Sequence, residues 1–243
     1  MKKIVIVGAS SGIGRRVADD FARKGYKVGV CARREDKLRE LAAEHPGRIV
    51  YRALDVTSPD AGSQLLGLVA DLGGMDVILI ASGVGFANPD LAPGLDERIM
   101  AVNVGGFTRV VNTAYKYYKE SGSKGHIVGI TSVAGTKGMG LAPTYSATKS
   151  YQQAYLQAID QLSRMQDAGV AVTDIRPGFI RTPLLDPKKC YPLIMALDYA
   201  APLIEKAIER APRVACIDWR WGLVTGLWRL IPNFVWPRLM SLS

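Results

Sequence analysis

The chain has 243 residues, of which 48% are apolar and 22% charged, a composition that excludes disordered, collagen-like and disulfide-rich proteins. Its three cysteines form no CxxC pair, and with only two histidines the sequence predicts no metal site. The N-terminus lacks the pattern of a signal peptide, and no apolar run reaches the roughly 18 residues of a spanning helix, so we expect a cytoplasmic protein.

The net charge of +9 is concentrated at the two ends of the chain. Residues 1–34 carry +7 and residues 217–243 carry +2, whereas the middle of the chain is neutral. Nucleic-acid-binding proteins usually spread their basic residues along a groove or a helix face, so we expect no nucleic-acid partner. A site for a small polyanion and a basic face that favours solubility are the two explanations left.

Apolar strands alternate with helices along the whole chain. The predicted strands cover residues 2–7, 27–32, 49–54, 75–81, 126–131, 170–175 and 214–217, and the predicted helices cover residues 15–24, 36–44, 58–72, 95–120, 145–166 and 199–210. Such alternation predicts an α/β fold, a doubly wound parallel sheet of about seven strands with helices on both faces. We expect one catalytic domain over residues 1–218 and a Trp-rich apolar appendage over residues 219–243.

A glycine-rich loop follows the first predicted strand and precedes the first predicted helix. Glycine lets the backbone approach a phosphate closely, and the N-terminus of the next helix supplies free N–H groups and a positive dipole end. In this strand–loop–helix context the loop predicts a dinucleotide site. The loop covers residues 8–14, and its predicted cofactor-binding residues are Gly8, Ser10, Ser11, Gly12, Ile13 and Gly14.

The end of the second predicted strand indicates which dinucleotide is bound. An acid there usually binds the ribose 2′-hydroxyl of NAD, whereas an arginine accommodates the 2′-phosphate of NADP. This chain has Arg33 and Arg34 at that point, and guanidinium groups match phosphate oxygens in a bidentate way. We therefore predict NADP(H) in preference to NAD(H), with Arg33 as the main contact and Arg34 and Ser10 in support. The alternative is a surface arginine pair in front of a helix.

Tyr145 and Lys149 are four residues apart on a predicted helix and therefore share one face. A phenol is a poor base at neutral pH, and a nearby ammonium group lowers its pKa. Tyr115 and Lys119 have the same spacing, so the spacing alone is not specific. Only the first pair has a serine, Ser132, thirteen residues before its tyrosine.

In their order and spacing these motifs resemble the short-chain dehydrogenase/reductase family, of the single-domain type, over residues 2–183. The resemblance rests on the GxxxGxG spacing of the loop, on the Ser–Tyr–Lys set, and on further matches at Asp55-Val56, at Gly83, at Asn103 and at Pro177-Gly178 with Thr182. One motif departs from the family pattern. The fourth strand ends in Ile80-Ala81-Ser82-Gly83, where the family usually has Asn-Asn-Ala-Gly.

The resemblance implies a role for each matching residue. Tyr145 would protonate the carbonyl oxygen in reduction, and Lys149 would lower the pKa of Tyr145 and bind the nicotinamide ribose. Ser132 would bind the substrate oxygen, and Asn103 would hold a water in a proton relay. The cofactor would also meet Asp55 and Val56 at the adenine, Gly83 at the adenosine ribose, and Pro177, Gly178, Ile180 and Thr182 near the nicotinamide. The resemblance further implies a homodimer or homotetramer.

Apolar segments near the carboxyl ends of the strands are expected to line the substrate site. These segments are residues 84–93, 139–144 and the loop region 179–198, and they favour a lipophilic ketone or aldehyde, although several of their leucines could belong to the core.

All four tryptophans lie within residues 219–236. Residues 219–243 could lie at a membrane interface, form an oligomer contact or pack over the substrate pocket.

The sequence thus favours an NADP(H)-dependent oxidoreductase that acts on a carbonyl or an alcohol. One alternative is a non-catalytic NADPH-responsive protein that acts through its tail on a membrane or a partner. Another is a sugar-nucleotide epimerase, which usually has a longer C-terminal substrate domain than this chain has.

Overall fold

The structure, a computed structural model, describes residues 2–239. Its strands are β1 (Lys3–Val7), β2 (Lys27–Ala32), β3 (Ile49–Ala53), β4 (Val77–Ile80), β5 (Gly125–Ile130), β6 (Val170–Pro177) and β7 (Val214–Ile217). Its α-helices are α1 (Gly12–Arg23), α2 (Glu35–Glu44), α3 (Ala61–Leu72), α4 (Pro93–Met100), α5 (Phe107–Ser121), α6 (Pro143–Met165), α7 (Leu197–Arg210) and α8 (Trp219–Leu230). A π-helical segment (Ala101–Gly106) and two 3₁₀ turns (Val133–Thr136 and Trp236–Arg238) complete the described elements.

The seven strands form one parallel sheet in the order β3-β2-β1-β4-β5-β6-β7. Along β1, Ile4 and Ile6 face one core while Val5 and Val7 face the other. Helices α1, α2, α7 and α8 cover the first face, and α3, α5 and α6 cover the second. Because the strands are buried on both faces, they appear in the sequence as continuous apolar runs. The predicted doubly wound fold is confirmed.

The chain reverses its direction of winding between β1 and β4. From β1 it moves outward to β3 and then returns to β4 on the other side of β1. In open α/β sheets, ligands bind in the crevice beyond the carboxyl ends of the strands at such a switch point. The glycine-rich loop and the segment after β4 both lie there.

The continuous helix predicted over residues 95–120 is interrupted. Helix α4 ends at Met100, the π-helical segment follows, and α5 begins at Phe107. A Cβ atom on Gly106 would lie 2.6 Å from Cγ2 of Val56, so this glycine permits a close approach to the segment after β3. The spacing of apolar residues along the sequence cannot reveal a π-helical segment. Its backbone stays nearly helical, and only its hydrogen bonds change, from residues four apart to residues five apart.

The Trp-rich segment contains a helix despite its two glycines. The carboxylate of Asp218 caps α8 by accepting from the N–H of Arg220 at 3.0 Å. The helix continues through Gly222 and Gly226 and ends two residues before Pro232, as a proline requires. Within residues 2–239, no helix combines the length and apolar character needed to cross a membrane. The last residues, 240–243, lie outside the described part of the chain.

Candidate active site

The glycine-rich loop lies between β1 and α1, at the switch point of the sheet. Gly8 has a φ of 95°, and a Cβ atom there would lie 2.5 Å from the backbone nitrogen of Ser82. Gly14 packs closely against the carbonyl group of Gly8. Ser11 is the N-cap of α1, so the loop carries the first N–H groups of the helix, which can bind phosphate oxygens.

The two predicted phosphate-binding arginines make different contacts. Arg34 donates to the hydroxyl groups of Ser10 at 2.9 Å and Ser11 at 2.8 Å. Arg33 is exposed and acts electrostatically on Asp55. The structure therefore brings Arg34, predicted only as a supporting contact, directly onto the glycine-rich loop.

Asp55 and Val56 follow β3 at the same edge of the sheet. Burial would raise the pKa of Asp55, but the N–H and hydroxyl groups of Thr57, both donating to its Oδ1, and the charge of Arg33 hold that pKa below its usual value. Asp55 is therefore an ionised acceptor at neutral pH. The carbonyl of Val56 accepts from Arg109 at 2.7 Å. Their contacts with adenine stay a prediction.

Ser132 follows β5, and Tyr145 lies in the first turn of α6. The hydroxyl group of Ser132 acts on the Tyr145 phenol and favours its ionised form. The Oγ atom of Ser132 also accepts from the N–H of Ala134 at 3.1 Å and donates to the carbonyl of Pro177 at 3.4 Å. The ring of Tyr145 packs on Gly85, where a Cβ atom would lie 2.7 Å from its Cε2. Strand, helix and glycine contact together fix the position of the phenol.

Lys149 lies one helical turn after Tyr145 and is buried, with 4% of its surface exposed. Its ammonium group lies 5.7 Å from the centroid of the Tyr145 ring. It donates to the carbonyl of Ile130 at 3.1 Å and to Oε1 of Gln152 at 2.9 Å. Burial lowers the pKa of Lys149 to about 8, although the charge of Asp174 acts in the opposite direction.

Burial also changes the acidity of the phenol. It raises the pKa of Tyr145, and the nearby hydroxyl group of Ser132 opposes that rise only in part. The structure thus holds the phenol in its neutral form, the form that can donate a proton. The lowering of this pKa by Lys149, inferred from the sequence, stays a prediction for the enzyme with its cofactor bound.

Asn103 lies in the π-helical segment and is completely buried. Its Nδ2 donates to the carbonyl of Val84 at 2.8 Å and to the hydroxyl of Thr148 at 3.1 Å. Its Oδ1 accepts from the N–H of Val84 at 3.0 Å. Asn103 therefore ties the segment after β4 to helix α6. Gly83 lies beside both Asn103 and Lys149, since a Cβ atom there would be 3.5 Å from Oδ1 of Asn103 and 3.6 Å from Nζ of Lys149.

Comparison with known proteins identifies the family. The family model described as short chain dehydrogenase matches residues 2–190. An uncharacterised oxidoreductase of Myxococcus xanthus is 31% identical over 236 residues, which cover 94% of this chain and 92% of that protein.

This chain belongs to the short-chain dehydrogenase family.

Solved structures share the fold at lower sequence identity. ElxO with NADP bound has a TM-score of 0.79 at 20% identity, covering 91% of this chain and 99% of that chain. A short-chain dehydrogenase from Sphingobium yanoikuyae in complex with NADPH has a TM-score of 0.78 at 24% identity, covering 96% and 97%. The resemblance inferred from the motifs is confirmed, and the chain is an oxidoreductase of this family.

Gln152 is a site residue that the motifs did not reveal in this short-chain dehydrogenase. Its side chain is completely buried. While its Oε1 accepts from Lys149, its Nε2 donates to the main-chain carbonyl of Asn103 at 2.8 Å. Gln152 thus links Lys149 to Asn103, the residue for which the family resemblance predicted a relay water. A polar residue three positions after the lysine, on its buried side, was the available signal.

The second Tyr–Lys pair lies away from this site. Tyr115 and Lys119 are on α5, and both donate to Oε1 of Gln166 beyond the end of α6, at 3.0 and 2.9 Å. The pair therefore stabilises the packing of two helices.

The predicted nicotinamide-binding stretch follows β6 and contacts the glycine-rich loop. A Cβ atom on Gly12 would lie 3.4 Å from Cβ of Thr182. The side chain of Ile180 is buried in the core, so only its backbone can meet a ligand. The N–H of Met195 donates to the carbonyl of Phe179 at 2.9 Å, which anchors the end of the loop region 179–198.

The tail packs against this end of the short-chain dehydrogenase. The indole of Trp221 fills the space above Gly178, where a side chain would overlap it. The rings of Phe179 and Trp221 are 5.7 Å apart, and those of Phe179 and Tyr191 are 4.8 Å apart. Trp221 thus packs on Phe179, one of the residues predicted to line the substrate site, and the role of residues 219–243 stays a prediction.

The residues present fit a phosphorylated dinucleotide. The glycine-rich loop forms a tight cradle before α1, because Gly8 lets it pack on the backbone of Ser82 and Ser11 caps the helix whose first N–H groups can bind phosphate oxygens. The buried hydroxyl of Ser82, beside this cradle, has no hydrogen-bond partner within residues 2–239. Arg33 and Arg34 supply positive charge where the 2′-phosphate is expected, and no acid replaces them before Glu35.

Three potential metal ligands, which the sequence spacing did not predict, lie close together elsewhere. They are Asp19, Glu44 and His45. His45 and Asp19 are 2.7 Å apart, and Glu44 pairs with Arg15 at 2.7 Å. Each of the three already has a charged or hydrogen-bonding partner, so the group is explained as an ion-pair network between α1 and the end of α2.

Proposed function

We propose that this chain is an NADP(H)-dependent reductase that converts a lipophilic ketone or aldehyde into an alcohol. The observation that carries the proposal is the placement of Arg34 on the glycine-rich loop at one end of the crevice and of Ser132, Tyr145 and Lys149 at the other. NADP-bound structures of similar fold support the choice of cofactor. An apolar substrate is favoured by the cluster of Phe179, Tyr191 and Trp221.

The cofactor, when bound, supplies the hydride. The neutral phenol of Tyr145 donates its proton to the carbonyl oxygen as negative charge develops there. Ser132, held by the N–H of Ala134, orients the same oxygen and stabilises its charge. Lys149 places a buried positive charge beside the phenol, and this charge stabilises the phenolate left after proton transfer. Gln152 and the carbonyl of Ile130 hold that ammonium group in position.

The cofactor half of the proposal is tested by titrating the purified protein with NADPH and NADH in parallel and following nicotinamide fluorescence. We expect NADPH to bind at least about tenfold more tightly, since one charged hydrogen bond contributes roughly 1.5–3 kcal/mol. Equal affinities would contradict the role of the arginines. Binding without turnover of any carbonyl would favour the non-catalytic alternative.

The catalytic half is tested by screening lipophilic ketones and aldehydes with NADPH. Tyr145→Phe removes only the hydroxyl and is expected to lower kcat by at least about a hundredfold, as expected for the loss of a general acid. Tyr115→Phe is the matched control, because Tyr115 has the same spacing to a lysine on another helix. Equal activities of the two variants would exclude the proposed role of Tyr145. The homodimer or homotetramer implied by the family stays a prediction.

A further inference from the structure

Helix α8 has two apolar faces, and only one of them packs on the protein. Trp221, Thr225 and Trp228 are buried and form the inner face. The rings of Trp221 and Trp228 are 6.3 Å apart, and those of Trp228 and Trp236 are 5.5 Å apart. A surface helix normally has one apolar face, which it turns toward the core. The outer face therefore requires an explanation.

The outer face of α8 is an exposed apolar stripe. We define it as Trp219, Leu223, Leu227 and Leu230, continued by Phe234 beyond the helix. Their exposed fractions range from 61% to 79%. Spacings of three and four residues place the helical members on one side of α8. Single exposed apolar residues are common on a monomer, whereas a contiguous row of five marks an interaction surface.

The stripe is held in place by the domain. Nζ of Lys137 donates to the carbonyl of Ile231 at 3.0 Å and to Oδ1 of Asn233 at 2.7 Å. The indole N–H of Trp236 donates to the carbonyl of Gly138 at 2.7 Å. With the Asp218 cap at the start of α8, these contacts fix both ends of the stripe. It is therefore a preformed surface.

The charges around the stripe indicate what can cover it. Residues 211–243 contain four arginines and a single acid, Asp218. The carboxylate of Asp218 is completely buried against Arg220, so it cannot pair with a partner. Arg229 and Arg238 are exposed beside the apolar side chains. A second copy that docked by the same face would bring these arginines together without an acid to neutralise them.

We propose that the outer face of α8 docks on an anionic phospholipid bilayer. Apolar side chains enter the boundary between headgroups and acyl chains, while the flanking arginines meet lipid phosphates. A twelve-residue helix is about 18 Å long and cannot cross a hydrocarbon core of about 30 Å, so α8 lies parallel to the surface. Because its inner face packs on Gly178 and Phe179, docking would place the substrate end of the crevice beside the bilayer.

The test is sedimentation of the full-length protein with vesicles of phosphatidylcholine, with and without about one-third phosphatidylglycerol. We expect binding to the anionic vesicles, and about fivefold weaker binding to neutral ones for each arginine that meets the surface. The double variant Leu223→Glu/Leu227→Glu should weaken binding to anionic vesicles by about a hundredfold or more, because it removes two apolar contacts.

The control is the double variant Leu66→Glu/Met165→Glu. It adds the same charge at two exposed apolar positions, 43% and 76% exposed, on α3 and α6. It should sediment like the wild type. Far-UV circular dichroism checks that each variant is folded. If the α8 variant fails to fold, Phe234→Glu replaces it, because Phe234 lies outside the helix.

Three results would overturn the proposal. The first is a wild-type protein that stays in the supernatant with every vesicle. The second is an α8 variant that sediments as well as the control. The third is a wild-type dimer that Leu223→Glu/Leu227→Glu dissociates while vesicles bind neither protein, which would assign the stripe to a second copy. None of these results depends on enzymatic activity, so this test is separate from that of the proposed function.

Discussion

Replacing Gln152 by leucine tests whether this buried amide positions Lys149. Leucine is similar in size, so the packing of α6 against the π-helical segment is largely retained. The substitution removes the acceptor of the Lys149 ammonium group and the donor to the carbonyl of Asn103. The carbonyl of Ile130 still accepts from Lys149.

The expected effect is a shift of the pH profile. A hydrogen bond to a charged group contributes roughly 1.5–3 kcal/mol, and one pH unit corresponds to about 1.4 kcal/mol. Losing the acceptor destabilises the protonated form of Lys149, so its pKa falls by about one to two pH units from its value of about 8. Since the charged form is the active one, the alkaline limb of kcat/KM moves to lower pH.

Gln152→Glu should act in the opposite direction. A carboxylate beside the ammonium group favours the charged form of Lys149 and moves the alkaline limb to higher pH. Gln157→Leu, at an exposed position of the same helix, is the matched control and should leave the profile unchanged. The profiles of kcat/KM with NADPH and a carbonyl substrate provide the measurement. If Gln152→Leu and Gln152→Glu shift the limb equally, Gln152 does not act through the charge of Lys149.

Three further predictions follow from the same structure. Arg33→Asp and Arg34→Asp should each lower the NADPH-to-NADH affinity ratio by about tenfold or more, and parallel titrations that show an unchanged ratio would contradict the 2′-phosphate assignment. Gly85→Ala places a Cβ atom 2.7 Å from the Tyr145 ring and should lower kcat/KM about tenfold to a hundredfold, with steady-state kinetics as the assay. Burial lowers the pKa of His126 to about 4, so between pH 6.5 and 4 only the unfolded state takes up a proton on this histidine. Unfolding experiments should therefore show that the free energy of unfolding falls by about 3 kcal/mol over this range. The variant His126→Asn should lack most of this loss.

The sequence predicted those parts of the site whose geometry is local. Strand–loop–helix order placed the glycine-rich loop at the switch point, and helical spacing placed Tyr145 and Lys149 on one face. Ser132 was identifiable because it follows a predicted strand in a known family order. The first two inferences need only short-range periodicity and the direction of a parallel sheet, whereas the assignment of Ser132 also needs the resemblance to the family.

The remaining features depend on packing between distant segments. Gln152 reaches Asn103 only because the π-helical segment packs against α6, and no pattern along the chain encodes that contact. Which of two adjacent arginines contacts Ser10 depends on the turn between β2 and α2. The α8 helix contains two glycines, so its propensity is low, and it is stabilised by Trp221 and its neighbours through contacts with the core.

The pKa shifts of Tyr145 and Lys149 bear on the direction of the proposed reaction. Burial raises the pKa of Tyr145 and lowers that of Lys149, which drives both groups toward their neutral forms. A neutral phenol is ready to donate a proton, as carbonyl reduction requires, whereas alcohol oxidation requires the phenolate. The phenolate must draw its stability from Lys149 while that side chain is still charged. We therefore expect the proposed reduction to run near neutral pH, and the reverse oxidation to need higher pH, where less of the Lys149 charge remains to stabilise the phenolate.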